Sequence, residues 1–269
     1  MMRNAPLRLY NSPEIELWPA RLLRARSNRD ARTLALADWV LRRKADGRYL
    51  AARLRGGLMP LVERLPDEPG LEAALALLDA LQWRGHRATA AALLPLDGVL
   101  VHLDALGLDA TDYAAATGLA LCAEPAWLEL AGFDRWRRPL WLTRAAGRSW
   151  YRMRTAALAD GICLEAISGY RSHAYQAGIF ARKQARGLSV AQILKVNAAP
   201  GFSEHHSGRA LDIGTPGEPA AEESFEATPA FAWLCSHAGA FGFTLSFPRD
   251  NPHGIVYEPW HWCFRAPEA

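Results

Sequence analysis

The sequence predicts an α+β fold over residues 118–269, preceded by an all-α module over residues 1–117. Two observations carry that division. After Gly118 short apolar runs alternate with helical stretches, whereas before it the apolar residues recur at helical spacing. The length of 269 residues agrees, being more than one typical domain needs.

In the first part, Ser12-Pro13-Glu14 reads as a helix start, with Pro at the first helical position and Trp18, Leu22 and Leu23 on one face. Asn28 opens a second helix that runs through Leu34, Trp39 and Leu41 to Gly47. Leu71 to Trp83 forms a third, ending at Gly85, and Thr89 to Leu94 continues the pattern before Pro95. In the second part, Pro139 to Leu142 is an apolar run, Thr143 to Asp160 a helix and Ile162 to Ile167 a buried strand. Helices follow from Ser172 to Arg186 and after Ser189, then a strand from Arg209 to Ile213. A helix from Thr228-Pro229 to Gly239 or Gly242 leads into strands Phe243 to Phe247 and Ile255 to Phe264.

Composition excludes several classes. At 50% hydrophobic, 22% charged and mean hydropathy −0.09 the chain is globular, and no apolar run reaches the 18 or so residues of a membrane span. Met1 to Ala20 lacks the apolar stretch and cleavage site of a secretion signal, so a cytoplasmic location is expected, with leaderless export as the alternative. The net charge of +3 hides an asymmetry: residues 1–55 hold 13 basic against 5 acidic residues. Those arginines alternate with apolar residues at helical spacing and no recognition motif accompanies them, so nucleic acid is not expected as a partner. Cys122, Cys163, Cys235 and Cys263 lie at least 28 residues apart with no CxxC pair, which predicts four buried free thiols rather than disulfides or a cysteine metal site.

Six of the eight histidines fall in the second part, and three of them belong to a joint pattern. Ser203 to Asp212 reads SEHHSGRALD, and Glu258-Pro259-Trp260-His261 follows. A catalytic zinc requires three N or O ligands, an open position for water and a nearby base. His205, Asp212 and His261 can supply the ligands and Glu258 the base. Gly208 and Ala210 are small enough for the backbone to pass close to a metal, and Pro259 should force a bulge that brings residues 258 and 261 to one centre. His206, next to a ligand in an extended segment, should point away from it. His253 is expected on a pocket rim, and His86, His102 and His237 as ordinary packed or surface residues.

The patterns SxHxxGxAxD and ExWH resemble the VanY-type D-alanyl-D-alanine carboxypeptidase family of zinc peptidases. The similarity extends to Ser168-Gly169-Tyr170-Arg171-Ser172 with Gln176, which resembles the family's SxYRSxxxQ segment, and to Trp233-Leu234 and Phe241-Gly242-Phe243. It covers about Leu119 to Phe264. Leu245-Ser246-Phe247-Pro248 departs from the family, which often has an arginine-tyrosine pair there. The resemblance implies a small antiparallel sheet flanked by helices, the hedgehog/DD-peptidase-like fold. It implies one Zn²⁺ on His205, Asp212 and His261, and Glu258 as the group that deprotonates water and protonates the leaving amine. It further implies Arg171 on the substrate's terminal carboxylate, and Gln176 and Ser203 on the peptide near the scissile bond.

The expected function is therefore removal of a terminal D-alanine from peptidoglycan stem peptides or muropeptides. The missing leader favours the L,D bond of a recycled tetrapeptide over the D,D bond of a pentapeptide. A peptidoglycan endopeptidase or lysin, a secreted effector, and a metal-bound recognition domain without catalysis are the alternatives. Residues 1–117 have no assigned task.

Overall fold

The computed structural model describes residues 7–84 and 93–265. Strands β1 (Arg8–Asn11) and β2 (Ile15–Pro19) open the chain. Helix α1 (Asn28–Leu36) follows, then β3 (Ala37–Arg43), β4 (Tyr49–Leu54) and β5 (Gly57–Pro60). Three helices come next, α2 (Leu71–Arg84), α3 (Asp97–Asp104) and α4 (Ala110–Thr117). Strands β6 (Trp127–Phe133) and β7 (Pro139–Leu142) precede the long helix α5 (Arg144–Ala159).

The all-α expectation for the N-terminal part is thus corrected, because five of its elements are strands. Ser12-Pro13-Glu14 is the turn of a hairpin, not a helix start, with Tyr10 facing Leu17 and the Ser12 N–H donating to the Ile15 carbonyl at 2.9 Å. Proline's fixed φ suits the second position of a turn as well as the first turn of a helix, and here the alternating residues on either side decide. The second helix stops at Leu36. Gly47, with φ +74°, is not its end but part of the Asp46-Gly47 turn between β3 and β4, the dipeptide that favours a tight hairpin. Helix α2 forms as expected and lays Ala74 and Leu78 over Ile15, Leu17 and Leu41. The helix expected over Thr89 to Leu94 falls largely outside the described residues.

These strands form one antiparallel sheet of seven, in the order β5-β4-β3-β2-β1-β6-β7. Strand β1 pairs with β6 through Leu9 opposite Leu128 and Tyr10 opposite Trp127, so the sheet runs across the division expected near residue 117. Helices α3 and α4 likewise place Val99, Leu103 and Tyr113 against Ala199, Phe202 and Ile255.

The rest of the chain follows its sequence more closely. Strand β8 (Glu165–Ser168) leads to α6 (His173–Gln184), capped by the Ser172 side chain, and to α7 (Val190–Leu194), which carries a Ser189/Gln192 capping box. Strand β9 (Ala210–Gly214), helix α8 (Pro229–His237) with Thr228 as its cap, and strands β10 (Phe243–Leu245) and β11 (His261–Phe264) complete it. The second sheet is small, antiparallel and flanked by helices, in the order β10-β11-β9-β8. Leu211, Ile213, Trp262 and Phe264 point to its core, where Trp150 and Met153 of α5 meet them. The strand expected over Ile255 to Phe264 begins only at His261, because the segment before it bonds irregularly, Val256 to Lys195 and Glu258 to Phe247. Of the four cysteines only Cys263 is buried; Cys163 and Cys235 are exposed and Cys122 is intermediate. Cys235 lies on the outer face of α8 and Cys163 in the loop between α5 and β8. No helix among the described residues is long and apolar enough to cross a membrane.

Candidate active site

The short 3₁₀ turn Glu204–Ser207 sets His205. His205 Nδ1 lies 2.7 Å from the Gly169 carbonyl oxygen. A carbonyl only accepts, so Nδ1 carries the proton and Nε2 keeps a lone pair, which accepts from Arg171 Nη2 at 2.7 Å, with Asp212 Oδ1 3.3 Å away. Burial, reinforced by the nearby Arg171 charge, lowers the His205 pKa to about 4, which keeps that lone pair free of a proton. His206 points away, as expected. Its Nε2 accepts from the Gly201 N–H at 3.1 Å and its Nδ1–H donates to the Arg171 carbonyl at 2.7 Å.

Asp212 of β9 and His261 of β11 face each other directly in the sheet register, while Leu211 and Trp262 turn to the core. The two-residue period of a strand thus separates the polar pair from the apolar one. His261 Nδ1 lies 3.2 Å from Asp212 Oδ1, and its Nε2 lies 2.9 Å from Glu204 Oε2. Burial opposes a charge on this ring, yet hydrogen bonds to Asp212 and Glu204 raise its pKa to about 10. The site therefore attracts a cation. One ligand atom each from His205, Asp212 and His261 lies within 4.8 Å of the others, all three residues are buried, and they are the one such group of histidine, cysteine or carboxylate found among the described residues. Two imidazoles and a carboxylate, with each imidazole's other nitrogen held by an oxygen, are a donor set that fits a zinc ion.

Glu258 sits in a turn, its carbonyl accepting from the His261 N–H at 3.1 Å. That turn, rather than a bulge, brings residues 258 and 261 together, and Glu258 Oε2 lies 3.9 Å from His261 Nδ1. Burial raises the Glu258 pKa to about 7. Gly208 has a different reason for its size from the one expected. It takes φ +65° and packs against Leu128 of the other sheet, where a Cβ would collide, and against Thr143 at the start of α5.

Arg171, Gln176, Ser203 and Glu258 line one cavity of about 350 Å³ with the three candidate ligands. Arg171 Nη2 donates to Asp212 Oδ2 at 2.9 Å and to His205 Nε2 at 2.7 Å, and its Nε to Ser168 Oγ at 3.3 Å. The guanidinium thus rests on the ligand atoms, where a divalent cation would compete for the same lone pairs and repel it. Gln176 is buried, and its Nε2 donates to the Ala198 carbonyl while Oε1 has no partner. Ser203 is buried and its hydroxyl makes no cap bond. His253 is not on this rim. It bonds the Thr117 carbonyl at 2.8 Å and ties its loop to the end of α4. His237 bonds the Trp233 carbonyl within its own helix, and His86 lies outside the described residues.

Residues 139–267 match the family model VanY, D-alanyl-D-alanine carboxypeptidase. The bifunctional D-Ala-D-Ala dipeptidase and D-Ala-D-Ala carboxypeptidase VanXYC of Enterococcus gallinarum is 30% identical over 147 residues, which are 52% of this chain and 75% of that protein. The chain belongs to the VanY family.

A D-alanyl-D-alanine carboxypeptidase of Enterococcus faecalis is 33% identical over 124 residues, 42% of this chain and 44% of that relative, so the chain spans less than half of its length. Among solved structures, a D,D-pentapeptidase VanY in complex with Zn(II) is 28% identical over 46% of this chain and 72% of the other, with a TM-score of 0.38. The match to the VanY family begins at residue 139, so β1 to β6 lie outside it.

Glu204 is the residue that sequence reasoning missed. It holds His261 Nε2, accepts from Ser246 Oγ at 2.6 Å and pairs with Arg265. Burial would raise its pKa, but His261, Ser246 and Arg265 pull it far below the usual carboxylate range. Its place directly before His205 was the available signal, but sequence adjacency gives no hint that it serves the distant His261. Ser246, within the segment that departs from the VanY pattern, contributes by fixing Glu204.

Proposed function

We propose that the chain is a zinc carboxypeptidase that releases a C-terminal D-alanine from peptidoglycan stem peptides. One observation carries this reading: two histidines and an aspartate offer converging ligand atoms, with a buried glutamate and an arginine in the same cavity. Zinc, when bound, polarises the scissile carbonyl and acidifies a water molecule. Glu258, 3.9 Å from His261 Nδ1, stands where it can take a proton from the attacking water. The hydroxide oxygen bonds to the carbonyl carbon, and as the C–N bond breaks Glu258 returns its proton to the amine of the departing D-alanine. Arg171 pairs its planar guanidinium with the terminal carboxylate. Gln176 lines the cavity and its buried, unpartnered Oε1 is the atom to accept from a peptide N–H, while the Ser203 hydroxyl bonds the same backbone.

The names of the curated relatives support a pentapeptide ending in two D-alanines as substrate. The L,D bond of a tetrapeptide is the second reading. Purified tripeptide, tetrapeptide and pentapeptide muropeptides, with and without chelator, test the reaction by mass spectrometry. Loss of one alanine mass, abolished by chelator and by Glu258→Gln, is expected. Undiminished release by Glu258→Gln would refute the mechanism, cleavage inside a cross-link would favour an endopeptidase, and metal binding with no hydrolysis a recognition domain.

A further inference from the structure

Lys44 directly follows β3, in the turn to β4, and its side chain is wholly buried. Its backbone N–H donates to the Glu14 carbonyl at 2.9 Å, which fixes it on the N-terminal hairpin. Its Nζ lies 2.5 Å from Glu124 Oε2, an acceptor as buried as itself. The same oxygen accepts from the Tyr170 hydroxyl at 2.5 Å, and the other, Oε1, accepts from the His173 backbone N–H at 2.7 Å. Tyr170 and His173 bracket Arg171 and Ser172. Further supports come from the Trp141 carbonyl of β7, which accepts from the Tyr170 N–H at 3.2 Å, from the Cys122 carbonyl on the His173 ring at 2.8 Å, and from the small sheet's side, His206 on the Arg171 carbonyl and the His205 carbonyl on the Arg171 N–H at 3.3 Å.

A carboxylate at this depth is costly without a cation; Lys44 is the permanent one within bonding distance of it, since the His173 ring, with Nδ1 3.2 Å from Glu124 Oε1, has its pKa lowered by burial. Without it Glu124 would take up a proton or draw in water, and either event loosens the hydroxyl of Tyr170 and the N–H of His173. An anchor displaced by an ångström loses much of its value to the reaction.

We propose that Lys44 is a positioning residue of the active site: the N-terminal sheet inserts a buried cation beneath the Tyr170–His173 loop and thereby aims Arg171. This rests on the reading of Arg171 as the carboxylate anchor. It gives the strands outside the VanY match a task in substrate binding, beyond stability.

The test uses the full, zinc-loaded chain and a stem peptide with a free C-terminus. Lys44→Met keeps the aliphatic stem and removes the charge. The expected result is a KM raised about tenfold, with kcat within about threefold and bound zinc unchanged. In a Glu124→Gln background Lys44→Met should add nothing further, because it acts through that carboxylate. An unchanged KM, or full additivity of the two substitutions, overturns the proposal. Should Lys44→Met fail to fold, Tyr170→Phe removes only the hydroxyl link. A KM raised severalfold supports the proposal and an unchanged KM overturns it. A wild-type chain that releases no D-alanine would instead overturn the reading of the site, and this inference with it.

Discussion

The molecule buries two clusters of charge, and they are finished differently. Around Glu124 the groups close on one another: its two oxygens take Lys44, Tyr170 and the His173 N–H. Around Asp212 the arrangement stays open on one side: His205 Nε2, Asp212 and His261 Nδ1 converge on a shared point covered by the Arg171 guanidinium, and Glu258 stands beside them with no lysine or arginine bond among the described residues. The difference teaches how to tell a clamp from a centre of chemistry. A closed cluster lowers the acid's pKa, to about 2 for Glu124, where burial opposes the charge but Lys44 and His173 prevail. In the other cluster His205, His261 and Arg171 hold Asp212 low, yet Glu258 beside it is left raised, to about 7, because burial outweighs the pull of its neighbours.

Substitutions can break or sharpen this contrast. The largest effect is expected at the open cluster: Asp212→Ala should lose bound metal and lower D-alanine release by more than about a thousandfold, measured by metal analysis and by product mass. Retained metal and activity would remove Asp212 from the site. At the closed cluster, Glu124→Gln should cost roughly 3 kcal/mol of unfolding free energy at neutral pH. Because the folded pKa is depressed, that contribution is full above the unfolded value and disappears as pH falls through about 2, so denaturant melts of the two proteins should converge in acid. Glu258→Gln in the metal-free chain should have the opposite sign. The raised pKa means that ionised Glu258 destabilises the fold, so the variant should gain on the order of 3 kcal/mol above pH 7 and nothing below the ordinary carboxylate range. Equal pH dependence of the two variants would erase the contrast. The smallest effect belongs to Glu204→Gln, which should weaken zinc binding about 10- to 100-fold by releasing His261 Nε2, read by competition with a chelator.

Much of the small sheet was legible because its signals are local. Ser172, Ser189 and Thr228 cap the helices that they announce, and Asp212 between Leu211 and Ile213 already shows a carboxylate on the face opposite the core. The N-terminal strands were misread because Ser12-Pro13-Glu14 and Asp46-Gly47 serve either a helix end or a hairpin, and their partners decide. Arg42 and Arg43 at the end of β3, read as the wet face of a helix, instead pair with Glu16, Asp46 and Glu68 around the hairpins. Glu204 and Lys44 stayed hidden for another reason: each acts on a residue far along the chain, His261 and Tyr170, and no spacing rule reaches that distance.

The pairing of β1 with β6 has a practical side. Anyone who trims the chain at about Leu119, where the family resemblance begins, would strip β6 of its neighbour and leave a row of naked amides and carbonyls beside Leu128 and Leu130, an invitation to stick to the next molecule. The shortest portable version of this enzyme therefore starts at the first hairpin and not at the family boundary.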